Sequence, residues 1–282
     1  MRARTKIYLS VFFAVMVCGF SLVRTVRAET IKIGGTGFGL GVMKLLAQSF
    51  ESTHPGEGVE VIPSLGSSGG IKALLHGALD IAVSGRPLKP AESGKGIEAT
   101  AFTRTPFIFI VNKSVTKEGI TLHELEEIFS GQMLSWPDGA RIRPVLRPNA
   151  DTVTKMVRGL SSGMDQAVTR AMSREGMILA ITDQESAQVV EKTPGALAAG
   201  TLTQVYSEKR QVNILSLNGI APSAKALGEG AYPLSLSLYL VAPARPGKTS
   251  RDFLRFLYSE KGRKILAENG NLAVGASWRG DQ

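Results

Sequence analysis

Cysteine is almost absent from these 282 residues; Cys18 is the only one. It lies in an apolar run from Ile7 to Val23 that follows Arg2, Arg4 and Lys6 and precedes Val26-Arg27-Ala28. A basic start, an apolar core and a small-residue boundary have the pattern of a secretory signal peptide, residues 1–28, cut after Ala28. The run is near the lower length limit for a membrane span, so an uncleaved anchor is the other reading. Cleavage leaves a chain with no disulfide and no thiol chemistry. Histidine is also scarce: three scattered residues offer no ligand spacing, and no metal is expected. Aromatic residues are only 6% and no run of five basic residues occurs, which argues against a nucleic-acid groove with stacking platforms. Even the positive charge is thinner than it looks. Of the net +9, five cations (Arg2, Arg4, Lys6, Arg24 and Arg27) lie in the leader, which leaves about +4, a mild attraction for anions.

What is present is an ordinary globular composition, 43% hydrophobic and 20% charged, long enough for one large or two medium domains. The most informative stretch runs from Val59 to Arg86. Val59–Pro63 reads as a strand, Leu65–Gly70 (Leu-Gly-Ser-Ser-Gly-Gly) as a tight turn, and Ile71, Leu74, Leu75, Ala78 and Leu79 as one face of a helix. Asp80–Ser84 then reads as a second strand. Such a unit places hydroxyls and free backbone N–H groups at a helix N-terminus, where the dipole favours an anion.

An earlier unit has the same form. Thr30–Gly34 is a strand, Gly34–Gly41 a glycine-rich loop containing Thr36, and Val42, Leu45, Leu46 and Phe50 a helix face ended near Pro55. This loop resembles a dinucleotide fingerprint only superficially, because no acidic residue closes the following strand to hold a ribose; no cofactor is expected. Two such units in tandem suggest a parallel sheet with ligand groups at the carboxyl ends of its strands. Further along, Phe107–Val111, Ile142–Leu146, Met177–Ile181, Val212–Ser216 and Leu234–Val241 read as strands. Thr121 with Glu124 forms a capping-box pattern, Asp151 or Thr152 is placed to cap a helix, and one terminal helix follows Thr249 and Ser250. Trp136 beside Pro137 suits packing under a turn.

Several segments, in order, resemble the PstS-like periplasmic phosphate-binding proteins of ABC transporters. They are Gly-Ser-Ser-Gly-Gly-Ile at 66–71, then Gly77, Asp80-Ile81-Ala82, Ser84, Arg86-Pro87-Leu88 and Glu92. Gly119-Ile120-Thr121-Leu122, Ile128-Phe129-Ser130-Gly131, Trp136, Thr193-Pro194-Gly195-Ala196, Gly219-Ile220-Ala221-Pro222 and Tyr232-Pro233-Leu234 continue the set. The resemblance implies an α/β chain with the type 2 periplasmic binding protein fold, two α/β lobes joined by a two-segment hinge. Lobe one would hold 29–105 and 234–282, lobe two 106–233. It also implies a periplasmic protein, expected as a monomer, that closes on a phosphate-like inorganic oxyanion and docks on an ABC transporter permease in the inner membrane.

Carried across by that resemblance, the ligand groups of lobe one are Thr36 with the N–H groups of Gly37 and Phe38, then Ser67, Ser68 and Gly69, and Ser84 with Arg86. Lobe two offers Arg147 and Thr152. Neutral donors with a guanidinium suit a divalent anion. Plainer readings stand beside each. Thr36, Ser67 and Ser68 can be cap or turn residues, Ser84 can simply end a strand, Arg86 can pair with Glu92, and Arg147 can form a surface or hinge ion pair.

The chain also departs from the family pattern. Gly85 stands where many members carry an Asp that accepts the proton of hydrogen phosphate, and Arg147-Pro148-Asn149-Ala150-Asp151-Thr152 lacks the expected Ser-Gly before its Thr. Ala196-Leu197-Ala198-Ala199 replaces the usual Ala-Ile-Gly-Tyr. Sulfate, molybdate, tungstate or a small organic anion are therefore alternatives, as is a sensor with no transport role. A hydrolase is the remote reading, from Gly-x-Ser-x-Gly at 66–70; no histidine follows His123, so no late triad base is available.

Overall fold

The computed structural model describes residues 29–275, 277 and 278. The signal peptide expected over 1–28, with Cys18, lies outside the described residues. The chain begins as strand β1 (Glu29–Gly35), helix α1 (Gly37–Glu51), β2 (Glu57–Val61), α2 (Gly66–Leu75), β3 (Ile81–Ser84) and the long β4 (Ile97–Asn112). Next come β5 (Gly119–Ile120), α3 (Leu122–Ser130), β6 (Arg143–Leu146), α4 (Thr152–Arg158), α5 (Ser162–Met172), β7 (Ile178–Leu179) and α6 (Asp183–Lys192). The chain continues through β8 (Ala196–Thr201), α7 (Leu202–Ser207), β9 (Val212–Leu217), α8 (Ala224–Gly228), β10 (Ser235–Pro243), α9 (Lys248–Tyr258), α10 (Glu260–Glu268) and β11 (Leu272–Ala273). Among the described residues no helix is long and apolar enough to cross a membrane.

The sheet runs β2-β1-β3-β10-β4-β8-β6-β7. β1 pairs in parallel with β2 and β3, as expected for tandem strand–helix units, and the carboxyl ends of β1 and β3 meet at Gly35 and Val83. β4 organises the whole. Its first part, Ile97–Pro106, pairs with β10, and Thr103 and Arg104 pair with β11. Its second part, from Phe107, pairs with β8 and β9. Pro106 lacks an N–H, and the change of partners falls beside it. The return segment lies alongside: the Phe107 N–H donates to the Leu234 carbonyl at 3.0 Å, and the Tyr232 hydroxyl donates to the Phe107 carbonyl at 2.8 Å.

Among the differences from the sequence reading, three concern helix starts and breaks. The stretch Gly66–Gly70 is the first turn of α2 rather than a turn before it. Gly66 enters with φ +66°, and a Cβ on Gly70 would lie 2.6 Å from the Gly35 Cα, so the helix starts early by seating its glycines on the end of β1. α1 likewise starts within the glycine-rich loop, at Gly37. The expected single terminal helix is two, broken at Ser259, whose side chain caps α10 through the Gly262 N–H. Phe50 packs edge-on against Phe253 and Phe256, fixing α1 to α9.

Candidate functional site

A cleft of about 370 Å³ opens between the start of α2 and the loop from β6 into α4. On one side it is lined by Ser64 through Gly69 with Arg86, on the other by Arg147, Pro148, Ala150, Asp151, Thr152, Lys155, Ile181 and Thr182. The expected residues Ser67, Ser68, Gly69, Arg86, Arg147 and Thr152 thus share one cavity. Thr36, Gly37, Phe38 and Ser84 are not among its lining residues.

Each side chain has a defined local role. Ser67 is buried, and its hydroxyl accepts the Gly85 N–H at 2.9 Å, tying α2 to the end of β3. The Ser68 hydroxyl accepts an N–H of Arg86 at 3.0 Å. Arg86 also grips both carboxylate oxygens of Glu92 at 2.8 Å, and that hydrogen-bonded pairing pulls the Glu92 carboxyl down to about 2. The plainer reading of Arg86, an ion pair with Glu92, is therefore present, and it aims the guanidinium along the cleft wall. Ser84 is fully buried and closes a turn, its hydroxyl donating to the Arg86 carbonyl and accepting the Arg86 N–H. It is no cleft group here; the backbone after β3 turns its hydroxyl inward.

Arg147 follows β6 and is 5% exposed. It donates to the Ala180 carbonyl at 3.2 Å and to Asp151 at 2.9 Å, while its Nε–H has no hydrogen-bond partner among the described residues. Asp151 is the cap of α4, accepting the Val153 N–H at 2.8 Å, and so pairs with Arg147 while holding the helix start. Lys155 is exposed at the rim and makes no ion pair among the described residues.

Helix ends supply the rest. Most described helices are capped by a Ser, Thr or Asp side chain; α1, α2 and α9 are not. α1 and α2 are the two glycine-rich helices that start at the carboxyl side of β1 and β2; the Gly66 N–H reaches the Ser64 hydroxyl at 3.4 Å and the Phe38 N–H a carboxylate from α6, and the positive dipole ends of both helices favour an anion at their starts. The Thr36 side chain makes no capping bond, which removes the plain cap reading for that residue.

One acceptor was missed in the sequence. Asp183, the first residue of α6, accepts the Phe38 N–H at 3.1 Å and stands 3.7 Å from Arg147. Burial pushes its carboxyl up to about 6, against the pull of Arg147 and the Phe38 N–H and with the push of Asp151 and Glu208. The only sequence signal is Thr182-Asp183-Gln184-Glu185, a helix start; the Phe38 contact joins positions 145 apart.

Gly85 also has a structural reason. A Cβ there would lie 2.9 Å from Phe38 Cε1 and 3.4 Å from Thr152 Cγ2, so the aspartate of the resembled family would need the buried Phe38 ring to shift. Among the described residues the serine and histidines of the remote hydrolase reading have other partners. Ser68, the central serine of Gly-x-Ser-x-Gly, contacts a guanidinium, while His76 bonds the Lys72 carbonyl and His123 is exposed beside Glu127. Among the described residues no group of three or more His, Cys, Asp and Glu is placed to hold a metal ion.

A family model described as a PBP superfamily domain matches residues 24–261. The chain is 26% identical over 259 residues to the phosphate-binding protein PstS of Bacillus subtilis (strain 168), covering 87% of this chain and 81% of that one. Among solved structures, a phosphate ABC transporter substrate-binding protein with bound phosphate from Clostridium perfringens is similar, with a TM-score of 0.73 at 19% identity, covering 88% of this chain and all of the other. An ABC-type phosphate transport receptor from Vibrio cholerae is similar with a TM-score of 0.61 at 21% identity, over 87% of this chain and all of the other. At these identities the structural likeness concerns the fold.

Proposed function

This chain belongs to the PBP superfamily and has a periplasmic binding protein fold, and from that premise we propose that it is a solute-binding receptor for a phosphate-like oxyanion. The observation that carries the reading is the convergence on one cleft of the uncapped start of α2, Ser67 and Ser68, and Arg147. A tetrahedral oxyanion accepts several such bonds at once, and a low-dielectric cleft strengthens each of them. Residues 29–105 with 234 onward form one lobe and 106–233 the other. They are joined where β4 changes partners at Pro106 and where Tyr232-Pro233 returns beside it. Flexing at these two adjacent strands opens and closes the cleft.

The printed names of the relatives support the ligand class and the transport role. On this reading residues 1–28 export the chain, and the receptor works outside the cytoplasmic membrane as a monomer that delivers its anion to an ABC permease. A different oxyanion is favoured by one observation, a glycine at 85 with the Phe38 ring packed where an aspartate side chain would start. Calorimetry of the mature chain against phosphate, sulfate, molybdate, tungstate and small carboxylates tests both. Saturable heat with phosphate supports the first reading, heat with another anion alone supports the second, and no heat with any of them ends the anion assignment.

A further inference from the structure

The described residues already contain an anion at the start of α1, and it is the protein's own. Asp183 is 6% exposed, and its side chain reaches from the first turn of α6 to the uncapped start of α1. Its Oδ2 accepts the Phe38 N–H at 3.1 Å, and its Oδ1 lies 3.7 Å from Arg147 Nη2. A Cβ on Gly37 would come within 2.6 Å of Oδ2, so the glycine leaves the space that the carboxylate fills. Gln184 fixes the approach by donating to the Gly37 carbonyl at 2.8 Å.

The charges facing Asp183 come from four elements. Arg147 reaches it from the end of β6, Asp151 from the start of α4 and Glu208 from the end of α7, while α1 presents its positive dipole end. Glu208 is itself held by Arg210 at 2.8 Å, so the immediate group is Arg147 between Asp151 and Asp183. One guanidinium between two carboxylates is a net negative setting. An oxyanion brought against Arg147 there meets two carboxylates beside one guanidinium, a repulsion that the rim Lys155 opposes and that falls when one negative charge is removed.

We propose that the Asp183 carboxylate is a built-in competitor for the anion of the cleft, and that the oxyanion is captured together with a proton. Protonation of Asp183 removes the negative charge 3.7 Å from Arg147 Nη2, so that Arg147 meets the ligand with one carboxylate beside it, Asp151, in place of two. Burial already holds the Asp183 carboxyl up at about 6, so a proton is taken there at modest cost near neutrality. Asp183 thereby sets the charge state of ligand and site that can coexist, a specificity role from the lobe opposite Gly85. The inference rests on the oxyanion-receptor reading.

The test is calorimetry of phosphate binding in buffers of different ionisation enthalpy, on the wild type and on Asp183→Asn. At about pH 8.5, where free phosphate is a dianion, the wild type takes up about one proton per anion and Asp183→Asn takes up none. The same variant binds phosphate about tenfold or more tightly than the wild type at that pH, and the two converge in acid. Asp183→Ala serves as the second variant, and circular dichroism confirms that each is folded. Binding by the wild type without proton uptake overturns the inference, as does equal uptake in the variants, and both leave the receptor reading standing. Failure of wild type and variants alike to bind any oxyanion overturns the receptor reading and this inference with it.

Discussion

Gly85 shows how one atom decides what a site can contain. The buried Phe38 ring stands 2.9 Å from where a Cβ would be, and the Gly85 N–H is held by Ser67 at 2.9 Å. Gly85→Asp, which supplies the carboxylate that the resemblance leads one to expect, is predicted to destabilise the fold by about 1–3 kcal/mol, the usual cost of overpacking. Urea denaturation measures it; an unchanged midpoint means that the ring moves aside freely. The Ser67 and Ser68 loop was legible as an anion cradle because a glycine-serine turn at a helix start carries that chemistry locally, while Arg86, Arg147 and Thr152 came in with the family resemblance; all five line the cleft. Ser84 was not placed correctly, since an identical hydroxyl can face the cleft or close its own turn, and the backbone after β3 decides which. Asp183 was missed for a different reason: its partners Phe38 and Arg147 lie far away in sequence, and its neighbours signal only a helix start.

At the scale of elements, apolar periodicity placed α1 to α4, a terminal helical stretch and most of the longer strands, but not β8, not α5 to α8, and not the first residues of α1 and α2. The capping box at Thr121 and Glu124 is formed as expected, because both halves of it are local. The start of α2 is not local: it depends on Gly70 lying against Gly35, a contact the pattern of hydrophobic residues cannot contain. Gly70→Ala places a methyl group 2.6 Å from the Gly35 Cα, a backbone atom with no side-chain freedom to yield. Better helix propensity at 70 is worth up to about 1 kcal/mol in the variant's favour. The clash is predicted to outweigh it, with a net loss of about 1–3 kcal/mol measured by thermal or urea unfolding. A neutral or stabilised variant would show that α2 slides along β1 at little cost. The break at Ser259 has a similar origin. The Ser259 side chain caps α10, and a Cβ on Gly262 would lie 2.5 Å from the Phe256 carbonyl oxygen, so the second helix packs tightly over the end of the first.

At the scale of the molecule, the tandem strand–helix units and the ordered family segments made the fold class legible. The 16-residue β4, by contrast, was read only as its apolar second half, because Ile97–Arg104 mixes polar and apolar residues. Its exchange of β10 for β8 and β9 at Pro106 underlies the proposed hinge. Stability should carry the electrostatic signature of the site. The folded chain raises Asp183 to about 6, so the contribution of that group is full in acid and is lost as pH rises through about 6. Glu92 runs the other way: Arg86 lowers it to about 2, so its contribution is present near neutrality and is lost as pH falls toward 2. The melting temperature of the ligand-free protein is therefore predicted to fall as pH rises from about 4 through about 6 and then to level off, and Asp183→Asn to flatten that limb while keeping the one below it. Identical pH profiles for the two proteins would remove Asp183 from the account of stability.

The central claim is that one oxyanion sits between the start of α2 and Arg147. Arsenate, a tetrahedral oxyanion like phosphate with an anomalous scatterer at its centre, locates that anion directly in a crystal of the mature chain. The account predicts one strong anomalous peak in the cleft, within hydrogen-bonding reach of the α2 N-terminal N–H groups and of the Arg147 guanidinium. A peak elsewhere on the chain, or none at saturating arsenate, would contradict it.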